Sequence, residues 1–347
     1  MERLIRDVMM EHLLDNKLIA KEQHGFVMNK SCRTNLLETL DTVTDAFNNG
    51  YQTLVVFLYF QKAFDKVCHE SLHYKLDKLG FSQDIRNWIR SYLKDRKQRV
   101  VIEESSSDWR DVTSGVPQGS VLGPLLFVIF INDMPLVVNH FIKLFADDSK
   151  LIGVIKNSND LQIIQDDLDA LVNWAKKWRM LFHPNKCKVM EITSSKNKDG
   201  CRPTLTMEKT ESSDRHILEY SELEKDLGVM VASNLKSDQQ VANAVAKVSM
   251  ALSLLRKTFK CWTPYNFKTL YTVFVRPHLE YAAPAWSPYL KKDINSLESV
   301  QRRATKMVKE FKNLDYLERL KSLKLTTLEE RRSRGDLIQY YKVLFRY

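Results

Sequence analysis

Residues 144–152 read LFADDSKLI, two adjacent carboxylates set between two apolar runs. Like charges side by side are unfavourable unless something positive lies between or beside them. Two readings of Asp147 and Asp148 fit the stretch. The side chains can cap a tight turn by hydrogen-bonding its backbone, the usual work of Asp in turns. Alternatively they hold a divalent cation, since hard ions such as Mg²⁺ take oxygen ligands, often one or two carboxylates plus substrate phosphates. Two-ion phosphoryl transfer then needs a further carboxylate that bridges both ions from a neighbouring strand. The longer stretch FIKLFADDSKLIGVI (141–155) predicts two short apolar strands around an Asp-Asp turn.

Working outward, Leu4, Ile5, Val8, Met9, Leu13 and Leu14 recur at helical spacing over 2–15. QHGF (23–26) is a loop, and a helix is expected from about Ser31 to Asn48. QTLVVFLYF (52–60) reads as a buried strand, rich in β-branched and aromatic residues. Helices over 69–79 and 83–94 follow. RKQRVVIEESSSDWRDVTS (96–114) reads as a hairpin with a serine-rich turn. GVPQGSVLGP (115–124) is a Gly/Pro-rich loop that leads into a buried helix over 121–132. Residues 158–178 form an amphipathic helix with Leu161, Ile164, Leu168, Leu171, Val172, Ala175 and Trp178 on one side. CKVMEIT (187–193) and EKDLGVMVA (224–232) read as short strands. From about Gln239 helices take over, at 239–258, 264–279 and 293–311, followed by a basic helical tail. Mixed elements and then helices alone predict an α+β chain of two domains, 1–235 and 236–347.

The 347 residues carry a net charge of +10, and the excess is uneven. From Gln239 to Tyr347 there are 21 Lys/Arg against 9 Asp/Glu, whereas the remainder has 32 against 34. A near-neutral body with a basic C-terminal third suggests a polyanionic partner, nucleic acid first; an ordinary solvated helical surface is the alternative. Cys32, Cys68, Cys187, Cys201 and Cys261 are odd in number, with no C-x-x-C, so neither a disulfide framework nor a zinc site is supported. The N-terminus mixes acids with its apolar residues and is no signal peptide. VLGPLLFVIFI, the longest apolar run, is too short for a bilayer and is broken by Gly and Pro. An intracellular protein of cytoplasm or nucleus, without membrane contact, is expected.

The loop SGVPQGSVLGP (114–124) adds a second signal. Gly115, Gly119 and Gly123 allow close backbone approach, and Gln118 offers a planar amide to a base edge. Taken with the acidic hairpin, it gives a chain that resembles the reverse transcriptases of non-LTR, LINE-type retrotransposons, the jockey-like and chicken-repeat-like branch in particular. QHGF (23–26), SCRTNLLETLD (31–41), FQKAFDKV (60–67), SGVPQGSVLGPLLFVIFINDMP (114–135), FADDSKL (145–151), HPNKCKVMEI (183–192), DLGVMV (226–231), RPHLEYAAPAWSPY (276–289), LESVQRRATKMV (297–308) and RRSRGDLIQYYKVL (331–344) carry the resemblance almost end to end.

The resemblance implies a right-hand polymerase, partial fingers and palm with an antiparallel sheet over 1–235 and an all-helical thumb over 236–347. It implies template-directed addition of dNTPs to a primer 3′-hydroxyl, with RNA and RNA–DNA hybrid as partners and Mg²⁺ or Mn²⁺ as cofactor. Asp147 and Asp148 stand where the palm's metal-binding aspartates stand. Phe60 and Phe64 fall at the nucleotide, Phe64 matching the bulky residue that excludes a ribose 2′-hydroxyl. Gln118 and Gly119 would line nucleotide and template. Lys186 matches a motif lysine near the triphosphate, a proton donor to the leaving pyrophosphate, although the Asn of that motif is replaced by His183. Trp286, Arg302, Arg303, Lys306 and Lys309 fall in the thumb. On a helix over 293–311, Arg302, Lys306 and Lys309 would share a face opposite Val300, Ala304, Met307 and Phe311, a stripe that can track a phosphate backbone.

One departure concerns the third carboxylate. The family's strand ends Asp-Phe-x-x-Ala-Phe-Asp, but here it reads Tyr59-Phe-Gln-Lys-Ala-Phe-Asp65. A phenol, with a pKa of about 10, is uncharged at neutral pH and a poor ligand for Mg²⁺. Asp65 lies past the strand end, up to ~20 Å away if the chain were extended. Losing one electrostatic donor commonly costs ~10²–10³ in rate, and a bridging ligand at least that. The resemblance also begins inside the first finger helix and stops in mid-helix, implying truncation at both ends. A catalytically impaired reverse transcriptase is the expectation; a non-catalytic RNA- or hybrid-binding pseudo-polymerase, or a decayed copy without function, is the alternative.

Overall fold

The strand expected over 52–60 lies at the centre of a sheet. The structure, a computed structural model, describes residues 1–193, 202–209 and 214–345; Cys201 lies outside them. The chain divides into two compact units, 1–221 and 222–347.

In the first unit the order is α1 (Glu2–Asp15), α2 (Cys32–Asn48), β1 (Gln52–Leu58), α3 (His69–Lys78), α4 (Gln83–Leu93), α5 (Gly123–Ile131), β2 (Phe141–Phe145), β3 (Asp148–Ile155), α6 (Ser158–Trp178), β4 (Lys188–Ile192) and β5 (Glu219–Tyr220). The sheet runs β5-β4-β1-β3-β2. β1 is antiparallel to both β3 and β4, and β5 joins β4 in parallel. A central strand covered on both faces needs apolar residues throughout. Residues 53–58 of β1 are accordingly all buried.

Alternate residues of β1 serve two layers. Leu54, Val56 and Leu58 join the main core with Leu151, Val189 and Leu144, as do α5 and α6. Buried residues outside that core, Val55, Phe57, Ile152 and Met190, go with Leu36, Val43 and Ala46 of α2. Helix α5, GPLLFVIFI, is buried on every side, as a helix apolar all round must be. Each of its large side chains contributes roughly 1.5–3 kcal/mol by leaving water. Capping boxes start α2, at Ser31 and Thr34, and α6, at Asn157 and Asp160.

One buried cation ties three helices together. Lys75 of α3 donates to Asp133 Oδ1 at 2.6 Å and to the Phe130 carbonyl at 2.5 Å. Its ammonium lies 3.9 Å from the centre of the Trp178 ring, and Trp174 Nε1 donates to the same Asp133 oxygen. Burial pushes Lys75 down to about 8.

The 96–114 segment is a hairpin, but not with a serine turn. Lys97–Gln98 pairs with Arg110–Asp111, and Val101–Ile102 pairs with Ser105–Ser106. The chain reverses at Glu103–Glu104, where Glu103 takes φ +52°, and two of the serines serve as strand residues.

In the second unit EKDLGVMVA is a hairpin rather than a single strand. β6 (Leu223–Asp226) and β7 (Val229–Ala232) reverse at Leu227–Gly228, both with positive φ. Tyr281 Oη donates to the Leu227 carbonyl at 2.8 Å, and Gln240 Oε1 accepts from Met230 N at 2.9 Å. These bonds fasten the hairpin to the helices after it, and from 236 on the described residues of this unit hold helices alone, as expected. Its helices are α7 (Asp238–Thr258), α8 (Pro264–Leu270), α9 (Arg276–Glu280), α10 (Lys291–Thr305), α11 (Tyr316–Leu323) and α12 (Leu328–Phe345). A π-helical turn over Tyr271–Val275 joins α8 to α9, immediately before Pro277. Proline supplies no N–H and crowds the carbonyl four residues back, and the widened turn accommodates both.

Candidate active site

The acidic pair does not form an Asp-Asp turn. Phe145 pairs with Asp148, so Ala146 and Asp147 make the turn and Asp148 opens β3. Ala146 takes φ +52°, which a side chain tolerates only where its surroundings hold it. Asp147 and Asp148 are both exposed, whereas Ala146 is buried.

Missed by sequence reasoning is what lies behind this turn. β2 is an edge strand, and residues 22–24 run beside it: Leu144 N donates to the Glu22 carbonyl at 3.0 Å and His24 N to the Leu144 carbonyl at 2.9 Å. Gln23 Oε1 accepts from Ala146 N at 3.1 Å and from Gly25 N at 2.7 Å. Asn35 Nδ2 of α2 donates to the Leu144 carbonyl. A Cβ on Gly25 would stand 2.5 Å from Ala146 N, so only glycine fits there. QHGF is visible in the sequence as a motif, but the amide that Gln23 meets lies 123 residues further along the chain.

Tyr59 directly follows β1. The register pairs Phe57 with Lys150 and Leu58 with Ser149. Continued by one step, that register would set Tyr59 opposite Asp148, on the face that Phe57 and Lys150 share. Past the end of the ladder the backbone is still held: His183 N donates to the Tyr59 carbonyl at 2.7 Å, and Tyr59 N donates to Cys187 Sγ at 3.4 Å. Burial pushes the Cys187 thiol up to about 11. Phe60 stacks on Phe182, ring centres 4.5 Å apart, so it is a packing residue on the same scaffold. Lys186, in the short turn Pro184–Lys186 beside Tyr59, is exposed. The strand pairing thus gathers Tyr59, Asp148 and the Lys186 turn at one end of the sheet.

The donor set falls short of a bridged pair of divalent ions. Asp147 and Asp148 are neighbours in the chain, and the residue that follows β1 carries a phenol. Among the described residues no three His, Cys, Asp or Glu side chains converge to hold a metal ion.

Phe64 stacks on Phe127 of α5 at 4.5 Å and is half-buried. The loop after it is held against 114–118: Gly115 N donates to the Val67 carbonyl and Val116 N to the Phe64 carbonyl, both at 2.8 Å. Gly115 takes φ +93°, and a Cβ there would stand 2.8 Å from Asp65 Cα. Gln118 Nε2 donates to Asp65 Oδ1 at 3.1 Å, while Gly119 is exposed, with open space where a Cβ would stand. A cleft of about 710 Å³ opens here, with Lys62, Lys66, Arg96 and Lys97 outnumbering Asp65 and Asp111.

In the second unit the predicted stripe is broken. α10 ends at Thr305, Val308 is extended, and Lys309 starts a separate short turn over Lys309–Phe311. Lys309 therefore does not share a helix face with Arg302 and Lys306. The chain leaves the helix to bury Val308 completely and Phe311 largely, and Arg319 of α11 donates to Thr305 Oγ1 at 3.0 Å where the helix stops. Arg302, Arg303, Lys306 and Lys309 are all exposed, although Arg302 lies over the Tyr316 ring at 5.0 Å. Trp286 is buried, its Nε1 donating to the Tyr281 carbonyl, and so serves the core. No helix among the described residues is long and apolar enough to cross a membrane.

A central, mostly antiparallel sheet with an acidic hairpin at its edge defines the class of protein. Residues 1–224 match the family described as reverse transcriptase (RNA-dependent DNA polymerase), and the chain belongs to it. It is 25% identical over 325 residues to the RNA-directed DNA polymerase from mobile element jockey of Drosophila melanogaster, covering 89% of this chain and 34% of that protein. The jockey protein of Drosophila funebris is 27% identical over 321 residues, with the same coverage of 89% and 34%. The chain spans about a third of the length of these curated relatives. Among solved structures, apo telomerase from Candida tropicalis matches with a TM-score of 0.50 at 11% identity, over 93% of this chain and 53% of that one, a likeness of fold.

Proposed function

We propose that this chain is the polymerase part of a non-LTR retrotransposon protein that still grips RNA and RNA–DNA hybrid but adds dNTPs feebly or not at all. The observation that carries the reading is the β1–β3 register, which ends with Leu58 opposite Ser149, one residue short of Tyr59 and of Asp148. The relatives are RNA-directed DNA polymerases by name. In that chemistry a carboxylate at the position of Tyr59 would complete the set that holds Mg²⁺ or Mn²⁺. With a phenol there, no catalytic step follows from this donor set.

In this reading, residues 1–235 serve as fingers and palm, and 236–347 as thumb. The cleft beside Gln118 suits an anionic ligand, such as a nucleotide triphosphate or a template strand. Phe64, next in the chain to Asp65 of the cleft lining, is the residue that would restrict the space for a sugar. Lys186 offers a proton or a positive charge at the same end of the sheet as Tyr59. The exposed Arg302, Arg303, Lys306 and Lys309 neutralise backbone phosphates in two groups rather than one stripe.

Primer extension on an RNA template, with dNTPs and Mg²⁺ or Mn²⁺, is the test. Binding of the primer–template without extension supports the reading. Sustained synthesis by the unaltered chain refutes the catalytic half of it, and absence of binding at low salt refutes the other half.

A further inference from the structure

We propose that Gln23 is a positioning residue for the acidic turn: its amide oxygen fixes the Ala146 N–H and thereby sets how Asp147 is presented. What Asp147 is presented to rests on the proposed function; the brace itself does not.

Gln23 is completely buried, and its two polar ends are treated differently. Oε1 accepts two backbone hydrogen bonds, from Gly25 N at 2.7 Å and Ala146 N at 3.1 Å. Nε2 is buried without a hydrogen-bond partner. A buried amide nitrogen left unsatisfied is destabilising, and an apolar side chain of the same length would avoid it. A role in packing alone therefore favours methionine over glutamine here. What glutamine adds is the acceptor, and the acceptor meets the one residue of the turn that takes a left-handed conformation, Ala146 at φ +52°. Asp147 is the next residue.

Three further contacts aim at the same place. The backbone of Gln23 bridges Leu144 in parallel, so the side chain enters at a fixed height on the edge of β2. Gly25 closes on Ala146 with no room for a Cβ, and Asn35 Nδ2 holds the Leu144 carbonyl at 3.1 Å. A turn with a strained first residue and two exposed carboxylates would otherwise sample several conformations. The brace selects one.

The test is residue-resolved amide hydrogen exchange on the unaltered chain and on Gln23→Met, Gln23→Glu and Gly25→Ala. Gln23→Met keeps the volume and removes the acceptor, and Gln23→Glu keeps an acceptor oxygen. We expect Gln23→Met to melt within a few degrees of the parent, yet to exchange at least tenfold faster at Ala146 and its turn neighbours, with β1 and β4 unchanged. Gln23→Glu should recover most of that protection. Gly25→Ala should loosen the same residues by displacing the turn, a positive control for the readout, and Gln23→Leu, which also lacks the acceptor, decides the matter if Gln23→Met fails to fold. Unchanged exchange at 145–148, or a uniform rise throughout the sheet, overturns the proposal. A second arm measures Mn²⁺-dependent thermal stabilisation in Tyr59→Asp with and without Gln23→Met, where a tenfold weaker apparent affinity is expected. Unchanged affinity with faster exchange would make Gln23 structural only and overturn positioning. If Tyr59→Asp gains no Mn²⁺ response at all, the metal reading fails and the exchange result alone decides the brace.

Discussion

Gln118 donates its side-chain amide to Asp65 Oδ1 at 3.1 Å, and so commits the carboxylate nearest in sequence to Tyr59 to the loop at 114–118. Asp65 lies beyond the end of β1, in the short turn Ala63–Asp65, and lines the basic cleft. That bond makes it a brace for the loop, and we predict that it does not act as a substitute third ligand. Asp65→Asn keeps an acceptor for Gln118 and should leave any divalent-ion response unchanged, in the unaltered chain and in Tyr59→Asp alike. Ion-dependent melting of the four proteins checks this. Loss of the response in Asp65→Asn would make Asp65 a ligand.

The basic residues of the second unit should act through phosphate alone. Arg302, Arg303, Lys306 and Lys309 replaced together by Ala should weaken binding of RNA and hybrid evenly across sequences. The slope of log K against log salt should fall by roughly one for each phosphate no longer neutralised. Because Lys309 sits apart from α10, its single replacement should add to that of Arg302 with no coupling. Fluorescence anisotropy over a salt series measures both. Salt-independent binding would show that the residues are merely solvated.

The Lys75–Asp133 pair makes a stability prediction with two signs. Asp133→Ala leaves a buried ammonium without its anion and should cost about 3 kcal/mol. Lys75→Met removes the charge and should cost much less. Lys75 is held near 8 in the fold against an ordinary 10.5, so between those values the unfolded chain binds more protons. Its contribution to stability therefore increases as pH rises from about 8 to about 10.5, and that increment should vanish in Lys75→Met. Urea unfolding at pH 7, 9 and 10.5 for both proteins tests it.

Behind the acidic turn, Glu38 is held down to about 2, with the His24 ring beside it first and the Lys143 ammonium next. The sign is that of a depressed carboxyl. Its stabilisation is fully present above pH 4.5 and is lost as pH falls toward 2. Glu38→Gln should flatten acid unfolding across that window, read by circular dichroism; an unchanged acid limb would detach Glu38 from the stability of this corner.

How much of this could be read from the residues depended on the range of each cause. The 158–178 helix shows in the sequence because one apolar face and a capping box are local features, and the structure has it at Ser158–Trp178. The end of α10 does not show. Val300, Ala304, Met307 and Phe311 continue a helical spacing, while the burial of Val308 that breaks the helix depends on tertiary packing. The same holds at Leu227–Gly228, where a Tyr281 hydroxyl more than fifty residues away supports the turn. Tyr59 could be flagged by its place in a motif, but only the pairing of Leu58 with Ser149, continued by one step, would set it against Asp148. Gln23 carried no local sign of its task, since its acceptor meets an amide on the other side of β1 in sequence.

The most direct measurement is the melting temperature of the unaltered chain and of Tyr59→Asp across a Mn²⁺ and Mg²⁺ titration. A ligand that binds only the folded state raises its stability by RT ln(1 + L/Kd), where L is the free ligand concentration, so the shift reports the site without requiring catalysis. The unaltered chain should show little or no ion-dependent shift, and Tyr59→Asp a rise of several degrees that grows with the logarithm of ion concentration and is abolished by Asp148→Asn. Equal ion-dependent stabilisation of both proteins, lost in each on Asp148→Asn, would contradict this, and would mean that the phenol at position 59 is not what limits this site.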